Sequence, residues 1–372
     1  MKCQNLFIKL KYKLSDIYKS VIGKEWLLAI VIAVAVVVVG SVISLESHRI
    51  IAVNSPQYIH YSVEPHNRLK VLANWDGVDY IKISRQGYTN DFSTGWLPLY
   101  PLLIYIFDII FNSSLMSSLI IAWVCLAGAI YYYLKVFKLL FKVKDNIKAL
   151  KAAVLFILFP SGIYFIAAYT ESIFAFLSLG AIYYALQKKY LPAALLTMFA
   201  TATHINGAFL LLLVVLILYE EKVKIRNLLI TMLVGSLGLV SFMTFLLIRY
   251  HNPFEFISAQ RDHGWLHTSF INRLGSFNGI DLIFAAAILL TVIYWWNRRR
   301  SFALYSALYL LIPLIGGQFG GYPRYTLMVF PLPLMLYEYC QKKKLLYPAI
   351  MLVFILSWVY ILQRFTAGYV VS

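Results

Sequence analysis

Apolar runs long enough to cross a lipid bilayer recur along nearly the whole chain, and they constrain its fold more than any other feature. Each run of about 17–25 apolar residues can cross the hydrocarbon as a helix. Hydrophobic residues make up 61% of the 372 positions and charged residues 13%, whereas a soluble domain has roughly 25% charged residues. This excess is too large for one buried core, so the chain is predicted to be an all-α polytopic membrane protein.

Basic residues crowd into the short polar segments between these runs. The formal net charge of +17 would suggest a nucleic-acid partner if it were spread over a soluble surface. Clustered between apolar runs, the same residues follow the positive-inside rule, which places them in the cytoplasm. We therefore predict membrane lipids, and no nucleic acid, as partners. The clusters lie in 2–24, 138–151, 188–189, 222–226, 298–300 and 342–344.

With these clusters inside, residues 1–372 are predicted to form a single transmembrane domain of the cell membrane. It has about 11 crossings, a cytoplasmic N-terminus (1–25) and an outer C-terminus. The predicted spans are 26–45, 115–137, 152–168, 172–187, 191–203, 205–219, 228–248, 279–296, 302–315, 324–340 and 346–362.

Two large loops, 46–114 and 249–278, and three short turns then face the outer side. Leu97–Phe111 is apolar enough for a further span, but a crossing there would place the 138–151 cluster outside or the Asp76 region inside. We interpret it as an interfacial or re-entrant helix at the outer surface. The cytoplasmic segments are too short to hold a site, so function is expected within the membrane or at its outer face.

The first outer loop carries the main group of charged side chains. If Asn74–Tyr88 is helical, Asp76 and Asp79 share one face at spacing i, i+3. Gly77 would let a substrate approach closely, which favours a functional role for Asp76. Asp79 and Arg85 are equally compatible with the solvated face of an interfacial helix.

Polar residues also interrupt apolar stretches at the short outward turns. Glu171 lies between two spans, and a carboxylate at membrane depth is costly enough to indicate function. An acid after Thr170 is equally typical of a helix start. His204 and Asn206, each taken alone, are more typical of structural hydrogen bonds, but their position beside the other polar turns makes them candidates for binding substrate.

The remaining outward segments offer groups suited to sugar and phosphate. A helix begun by Pro253 would carry Gln260 and Trp265, which suit a sugar, although an amphipathic interfacial helix also explains the aromatics. Arg324, followed by Tyr325, begins a span. Its guanidinium can bind a lipid phosphate through paired hydrogen bonds or reach water as an interfacial arginine. The glycines and proline before it favour the phosphate.

Signatures for ATP and for metal ions are absent from the sequence. There is no Walker A loop and no HExxH motif, and His263 with His267 would supply only two ligands at helical spacing. No cofactor or metal site is predicted, and a metal requirement is left open.

Taken together, these segments resemble the GPI mannosyltransferase II (PIG-V-like) family of the C-type glycosyltransferase superfamily. They occur in the family's order and cover most of the chain, with one departure at His204, where arginine is expected. The matching pieces are Trp75-Asp76-Gly77 with Gly87-Tyr88, Trp96–Leu103, Tyr169–Ala175, His204–Gly207, Asn252–Phe256 with Gln260 and Trp265, and Pro323-Arg324-Tyr325 with Phe330-Pro331.

The resemblance implies an inverting enzyme that takes a sugar, usually mannose, from a polyprenyl-phosphate carrier at the outer or lumenal face. The catalytic base of such enzymes is an acid in the first outer loop, which maps onto Asp76. One base serves the acceptor hydroxyl, and the leaving lipid phosphate needs a cation, here Arg324 or Arg85. The composition looks bacterial, so a cell-envelope glycan or glycolipid is the expected acceptor. Asp76 would lie at the mouth of the cavity and Arg324 at its phosphate end.

Two other functions compete with this interpretation. A transporter or flippase of lipid-linked sugars would predict pseudo-symmetric halves, which the sequence does not show, and polar residues along a through-path. A membrane scaffold would leave the outward acid, glutamine and arginine motifs without a purpose.

Overall fold

The computed structural model describes residues 24–51, 64, 66–89, 91–262, 279–316 and 322–369. Within these residues every regular element is a helix and none is a strand, which confirms the predicted all-α class. Trp265, His263, His267 and most of the predicted cytoplasmic N-terminus lie outside the described residues.

Helices with short connections make up most of the described chain. The α-helices are α1 (Glu25–Ile50), α2 (Asp76–Gln86), α3 (Leu99–Phe111), α4 (Ser114–Phe141), α5 (Asn146–Ile157), α6 (Glu171–Leu186), α7 (Tyr190–Thr201), α8 (Gly207–Glu220), α9 (Ile225–Tyr250), α10 (Glu255–Asp262), α11 (Gly279–Trp296), α12 (Arg300–Gly316), α13 (Tyr322–Thr326), α14 (Pro331–Lys342) and α15 (Leu346–Thr366). Shorter 3₁₀ turns cover Arg68–Leu72, Asp91–Gly95 and Gly162–Phe165.

Five of the described helices (α1, α4, α9, α11 and α15) are long and apolar enough to cross a bilayer. The shorter apolar helices α3, α6, α7 and α8 accompany them. Large apolar side chains cover the outside of the bundle. Leu233, for example, is 67% exposed and Ile248 74% exposed, as expected for surfaces that contact lipid rather than water. The chain is therefore a multi-pass membrane protein, although the predicted count of about 11 crossings is not confirmed.

Two predicted spans are wrong as single helices, because proline interrupts each of them. The sequence predicts one helix over 152–168, but α5 ends before Pro160, which cannot continue a helix. Residues 158–170 then form irregular, almost entirely buried backbone that includes a 3₁₀ turn. The predicted span 324–340 is divided into α13 and α14, with Pro331 in the first turn of α14.

Neighbouring helices of this bundle differ greatly in length. At 1.5 Å per residue, α6, α7 and α8, with 16, 12 and 14 residues, rise about 24, 18 and 21 Å. Their neighbours α4 and α9, with 28 and 26 residues, rise about 42 and 39 Å. Gly238, in the middle of α9, lies against Met198 and Ala202 at the end of α7. The short helices therefore leave a recess at one end of the bundle.

Two ion pairs lie at the end of the helix bundle opposite the recess. Lys138 Nζ lies 2.5 Å from Glu25 Oε1, which joins the last part of α4 to the start of α1. Arg299, between α11 and α12, lies 2.7 Å from Glu221 after α8, measured from Nη2 to Oε1. The basic clusters around these residues thus lie together at one end of the bundle, and the recess lies at the other.

The apolar segment predicted as a surface helix forms α3. Its first residue, Leu99, donates a backbone hydrogen bond to the carbonyl of Ala202 after α7, at 3.0 Å. It ends at Phe111, and the left-handed conformation of the next residue, Asn112, turns the chain toward α4. Ile109 and Ile110 on its outer face are 74% and 70% exposed. α3 therefore lies over the recess, between α7 and α4, and does not run from one end of the bundle to the other.

Gly162 allows the irregular segment before α6 to fold back tightly. A Cβ atom there would collide with the carbonyl oxygen of Ile157, whereas at Gly279 it would meet nothing within 4 Å. We expect Gly162→Ala to lower the free energy of unfolding by about 1–3 kcal/mol, measured by thermal unfolding in detergent micelles. Gly279→Ala is the matched control, and equal losses in both variants would contradict this expectation.

Candidate functional site

Arg324 forms ion pairs with two carboxylates from distant parts of the chain. Its Nη1 lies 2.7 Å from Asp76 Oδ2, and its Nε lies 2.5 Å from Glu171 Oε1. The Glu171 side chain is 1% exposed, whereas those of Asp76 and Arg324 are 18% and 24% exposed. These three residues, called the ion cluster below, therefore combine one buried acid, one accessible acid and a shared cation.

The ion cluster lies in the recess, at the start of the short helix α6. The sequence predicts Asp76 at the mouth of a cavity and Arg324 at its lipid-phosphate end. That separation is wrong, because the two side chains are in direct contact. They are 248 positions apart in the chain, and no periodicity in the sequence reports a contact over such a distance.

Backbone strain and hydrogen bonds fix Asp76 at the first position of α2. The preceding residue, Trp75, has φ 55° and ψ −125°, a conformation that non-glycine residues seldom adopt and that costs on the order of 1–3 kcal/mol. Asn74 donates from Nδ2 to the carbonyl of Phe365 at 2.8 Å, and its own carbonyl accepts from Tyr169 OH at 3.0 Å. The strained turn is thus held from two sides, which limits the movement of Asp76.

Gly77 serves packing rather than substrate access. A Cβ atom at this position would lie 3.1 Å from the carbonyl oxygen of Ala168. The Ala168 N–H in turn donates to the carbonyl of Leu72 at 2.8 Å. α2 therefore lies directly on the segment before α6, and the interpretation of Gly77 as an opening for substrate is wrong.

Aromatic rings surround the guanidinium of Arg324. Its Cζ lies 4.8 Å from the centre of the Tyr169 ring and 5.0 Å from that of Tyr164, within the range of cation–π attraction. Ser161 Oγ donates to the carbonyl of Pro323 at 2.6 Å, which ties α13 to the same segment. Arg324 is thus held by protein groups, so the interpretation as an interfacial arginine is wrong. Sequence reasoning names neither tyrosine as a site residue. Tyr169 opens the family motif Tyr169–Ala175, whereas the only signal of Tyr164 is its position shortly before α6.

Glu171 is the buried acid of the ion cluster. Its Oε2 is buried and has no hydrogen bond within the described residues, so the ionised carboxylate depends on the pairing of Oε1 with Arg324. Thr170 precedes α6 without a side-chain capping bond, and its hydroxyl instead lies 3.4 Å from Tyr80 OH. The structure therefore does not support a helix cap formed by Thr170.

The turn between α7 and α8 lies near the ion cluster. Burial and the Arg324 cation lower the pKa of His204 to about 3, so its imidazole is neutral. Nδ1 accepts from the Asn206 N–H at 3.1 Å, which assigns the ring proton to Nε2. His204 thus offers a neutral hydrogen-bond donor close to Arg324, while the Asn206 side chain lies near the Tyr309 hydroxyl.

Asp79 follows Asp76 by one helical turn on the same face of α2, as predicted. Its side chain is half-buried. Burial, and after it the negative charge of Asp76, raises the pKa of Asp79 from 3.8 to about 7, against a smaller opposite effect of Lys82. Asp79 therefore changes charge near neutral pH, beside the ion cluster.

Arg85 lies outside the ion cluster. It donates from Nε to Ser114 Oγ at 2.8 Å, and its Nη2 lies 3.2 Å from Glu64 Oε1. The length of α2 places it roughly 13 Å from Asp76. The structure therefore does not bring Arg85 to the site as the predicted phosphate-binding cation.

The other predicted binding residues come from two segments. Tyr325 adjoins Arg324 and is electrostatically coupled to the ion cluster. Gln260 lies on α10, which packs against the 3₁₀ turn Asp91–Gly95, while Trp265 lies outside the described residues. Their sugar-binding roles stay predictions.

Removal of the shared cation should destabilise the protein. We expect Arg324→Gln to lower the free energy of unfolding by about 3–5 kcal/mol, because it leaves the buried Glu171 charge without a partner. Arg298→Gln is the matched control, since that arginine is 48% exposed in its pair with Glu338 and should contribute less than about 1 kcal/mol. Thermal unfolding of both variants measures the difference, and equal losses would contradict the structural role of Arg324.

The raised pKa of Asp79 should appear in the pH dependence of stability. Between the pKa of 3.8 in the unfolded chain and about 7 in the folded protein, only the folded protein keeps the proton. Stability therefore falls as pH rises through this window. We expect the melting temperature of Asp79→Asn to exceed that of the wild type at pH 8, and the two melting temperatures to agree near pH 4. A difference independent of pH would contradict this assignment.

Comparison with protein families agrees with the sequence motifs. The model of the Mannosyltransferase (PIG-V) family matches residues 25–271, more than half of the chain, and a comparison with curated proteins gives no match. The matched range contains Asp76 and Glu171 of the ion cluster, whereas Arg324 follows it. The match confirms the resemblance to PIG-V-like enzymes. The chain therefore belongs to the PIG-V mannosyltransferase family and is a glycosyltransferase.

Proposed function

We propose that the protein transfers a mannosyl group from a polyprenyl-phosphate carrier to a hydroxyl group of a cell-envelope glycan or glycolipid, at the outer face of the cell membrane. The ion cluster is the observation that carries this proposal. It combines an accessible carboxylate with a guanidinium at the end of the short helices. A lipid-linked donor can reach such a recess laterally while its prenyl chain stays in the bilayer.

The distribution of charge supports the orientation. The basic clusters near Lys138 and Arg299 lie at the end of the bundle opposite the ion cluster, and the positive-inside rule assigns that end to the cytoplasm. In this topology, with about 11 crossings, the N-terminus is cytoplasmic and the ion cluster faces outward. Some of these crossings are then made by the short helices together with the irregular backbone beside them.

Asp76 has the position expected of the general base. The acceptor hydroxyl attacks the anomeric carbon while Asp76 takes its proton, and direct displacement with inversion needs no second carboxylate as a nucleophile. Of the two acids bound to Arg324, Asp76 is the more exposed, at 18% against 1% for Glu171. The base is thus the acid that a substrate can reach.

Proton transfer to Asp76 also bears on the leaving group. Arg324 Nη1 donates to Asp76 Oδ2 at 2.7 Å, and this charged contact weakens once Asp76 is protonated. The guanidinium can then donate to the negative charge that develops on the leaving phosphate. Glu171 keeps Arg324 in place through Nε.

A flippase of lipid-linked sugars is the competing proposal. It needs a polar path through the membrane, whereas the ion cluster lies at one end of the bundle. No group of three or more potential metal ligands occurs within the described residues. The absence of a cofactor stays a prediction, and a metal requirement stays open.

We expect Asp76→Asn to abolish transfer, with a loss of at least about 10²–10⁴-fold, while expression stays intact. The assay supplies labelled polyprenyl-phosphate-mannose to membranes that contain the protein. Glu25→Gln is the matched control, because it removes a paired carboxylate at the other end of the bundle. Undiminished transfer by Asp76→Asn would remove Asp76 from catalysis, and movement of labelled carrier without transfer would favour the flippase.

A further inference from the structure

The proton released during transfer has to leave the ion cluster after every turnover. Arg324 donates to Asp76 Oδ2, and this ion pair requires Asp76 to be ionised again before the next acceptor reacts. Asp79 is the next carboxyl group along the same face of α2. Side chains three positions apart on a helix have Cβ atoms about 5–6 Å from each other, so a single water molecule can bridge the two carboxyl groups.

We propose that Asp79 receives the proton that Asp76 takes from the acceptor hydroxyl and releases it to bulk water. This inference rests on the proposed function. In the transfer step the acceptor O–H bond breaks and its oxygen bonds to the anomeric carbon. The bond from that carbon to the phosphate oxygen breaks, and its electron pair stays on the phosphate. The proton passes from Asp76 to Asp79 and then to water, so the step needs no further reactant.

The environment of Asp79 suits a group that both takes up and releases a proton. Burial and the charge of Asp76 raise its pKa to about 7, near the value at which a proton-transfer group works best at neutral pH. The positive charge of Lys82, one turn further along α2, lowers the pKa of Asp79 and so limits its rise. Since the side chain is half-buried, Asp79 retains access to water.

The elements packed against α2 direct their polar groups mainly to other residues of that helix. Of the charged groups, Arg324 pairs with Asp76 and also holds Glu171, while Glu64 pairs with Arg85 at the other end of α2. The neutral groups lie against Tyr80 and Arg85. Those neutral contacts are Tyr100 of α3 with Tyr80, Thr170 with Tyr80, and Ser114 of α4 with Arg85. Asp76 and Lys82 are therefore the charged groups that set the proton affinity of Asp79.

The experiment measures kcat for mannosyl transfer at several pH values around 7, with the full chain in lipid membranes and polyprenyl-phosphate-mannose as donor. We expect the wild-type rate to rise with pH through about 7. Asp79→Asn should lower kcat by about 10²-fold, the lower end for a positioned proton acceptor, and remove this inflection. Asp79→Glu should restore most of the wild-type kcat and the inflection in the pH profile. Imidazole, a small proton acceptor, should accelerate Asp79→Asn and leave the wild type unchanged.

A matched control and two contrary results make the test decisive. Asp108→Asn removes a carboxylate of α3 that accepts from Ser114 Oγ at 2.7 Å, outside the ion cluster, and should keep the wild-type pH profile. A wild-type rate and profile in Asp79→Asn would overturn the relay, as would a loss that neither glutamate nor imidazole relieves. No transfer by the wild type would instead refute the proposed function itself, so the two failures are distinct.

Discussion

The buried charge of Glu171 is the constraint on which the rest of the site depends. Transfer of a carboxylate from water into protein costs several kcal/mol unless a cation accompanies it, and the Glu171 side chain is 1% exposed. Arg324 supplies that cation and binds Asp76 with the same guanidinium. Three parts of the chain must therefore meet at one point. The strained residue Trp75, the irregular segment 158–170 and the break between α13 and α14 are the backbone features that bring them together.

Helix length explains why this meeting point lies below the end of the bundle. α6, α7 and α8 are too short to match α4 and α9, so their ends form the floor of a recess that α3 partly covers. Irregular backbone at membrane depth is tolerable when protein surrounds it, and residues 159–170 are all buried. In the proposed orientation, the short helices thus allow polar groups to lie below the membrane surface without contacting lipid.

Much of this was predictable from local signals in the sequence. Lysine and arginine clusters indicate which helix ends lie together. Glu171 stands out because a carboxylate at membrane depth is costly. Asp76 stands out by its place in the first outer loop and in the family motif, and Arg324 by the glycines and proline before it. Hydropathy does not predict the helix breaks near Pro160 and Pro331, because both prolines lie in stretches apolar enough to suggest unbroken helices. The contacts between these residues cannot be predicted from the sequence. Pairing over 153 and 248 positions and the rings around Arg324 depend on tertiary packing, and Gly77 was misread because its neighbour Ala168 is distant in sequence.

The ion cluster also shows how the two parts of the chain act together. Residues up to 271 carry the family match, and this part supplies both carboxylates. Arg324 and the carbonyl of Phe365, which fixes Asn74 beside the strained turn, come from the part that follows. Because Arg324 donates directly to Asp76, the charge of Asp76 and the availability of the guanidinium change together. In the proposed mechanism, protonation of Asp76 and stabilisation of the leaving phosphate are therefore coupled through one side chain, and a substitution of Arg324 in α13 would alter both steps at once.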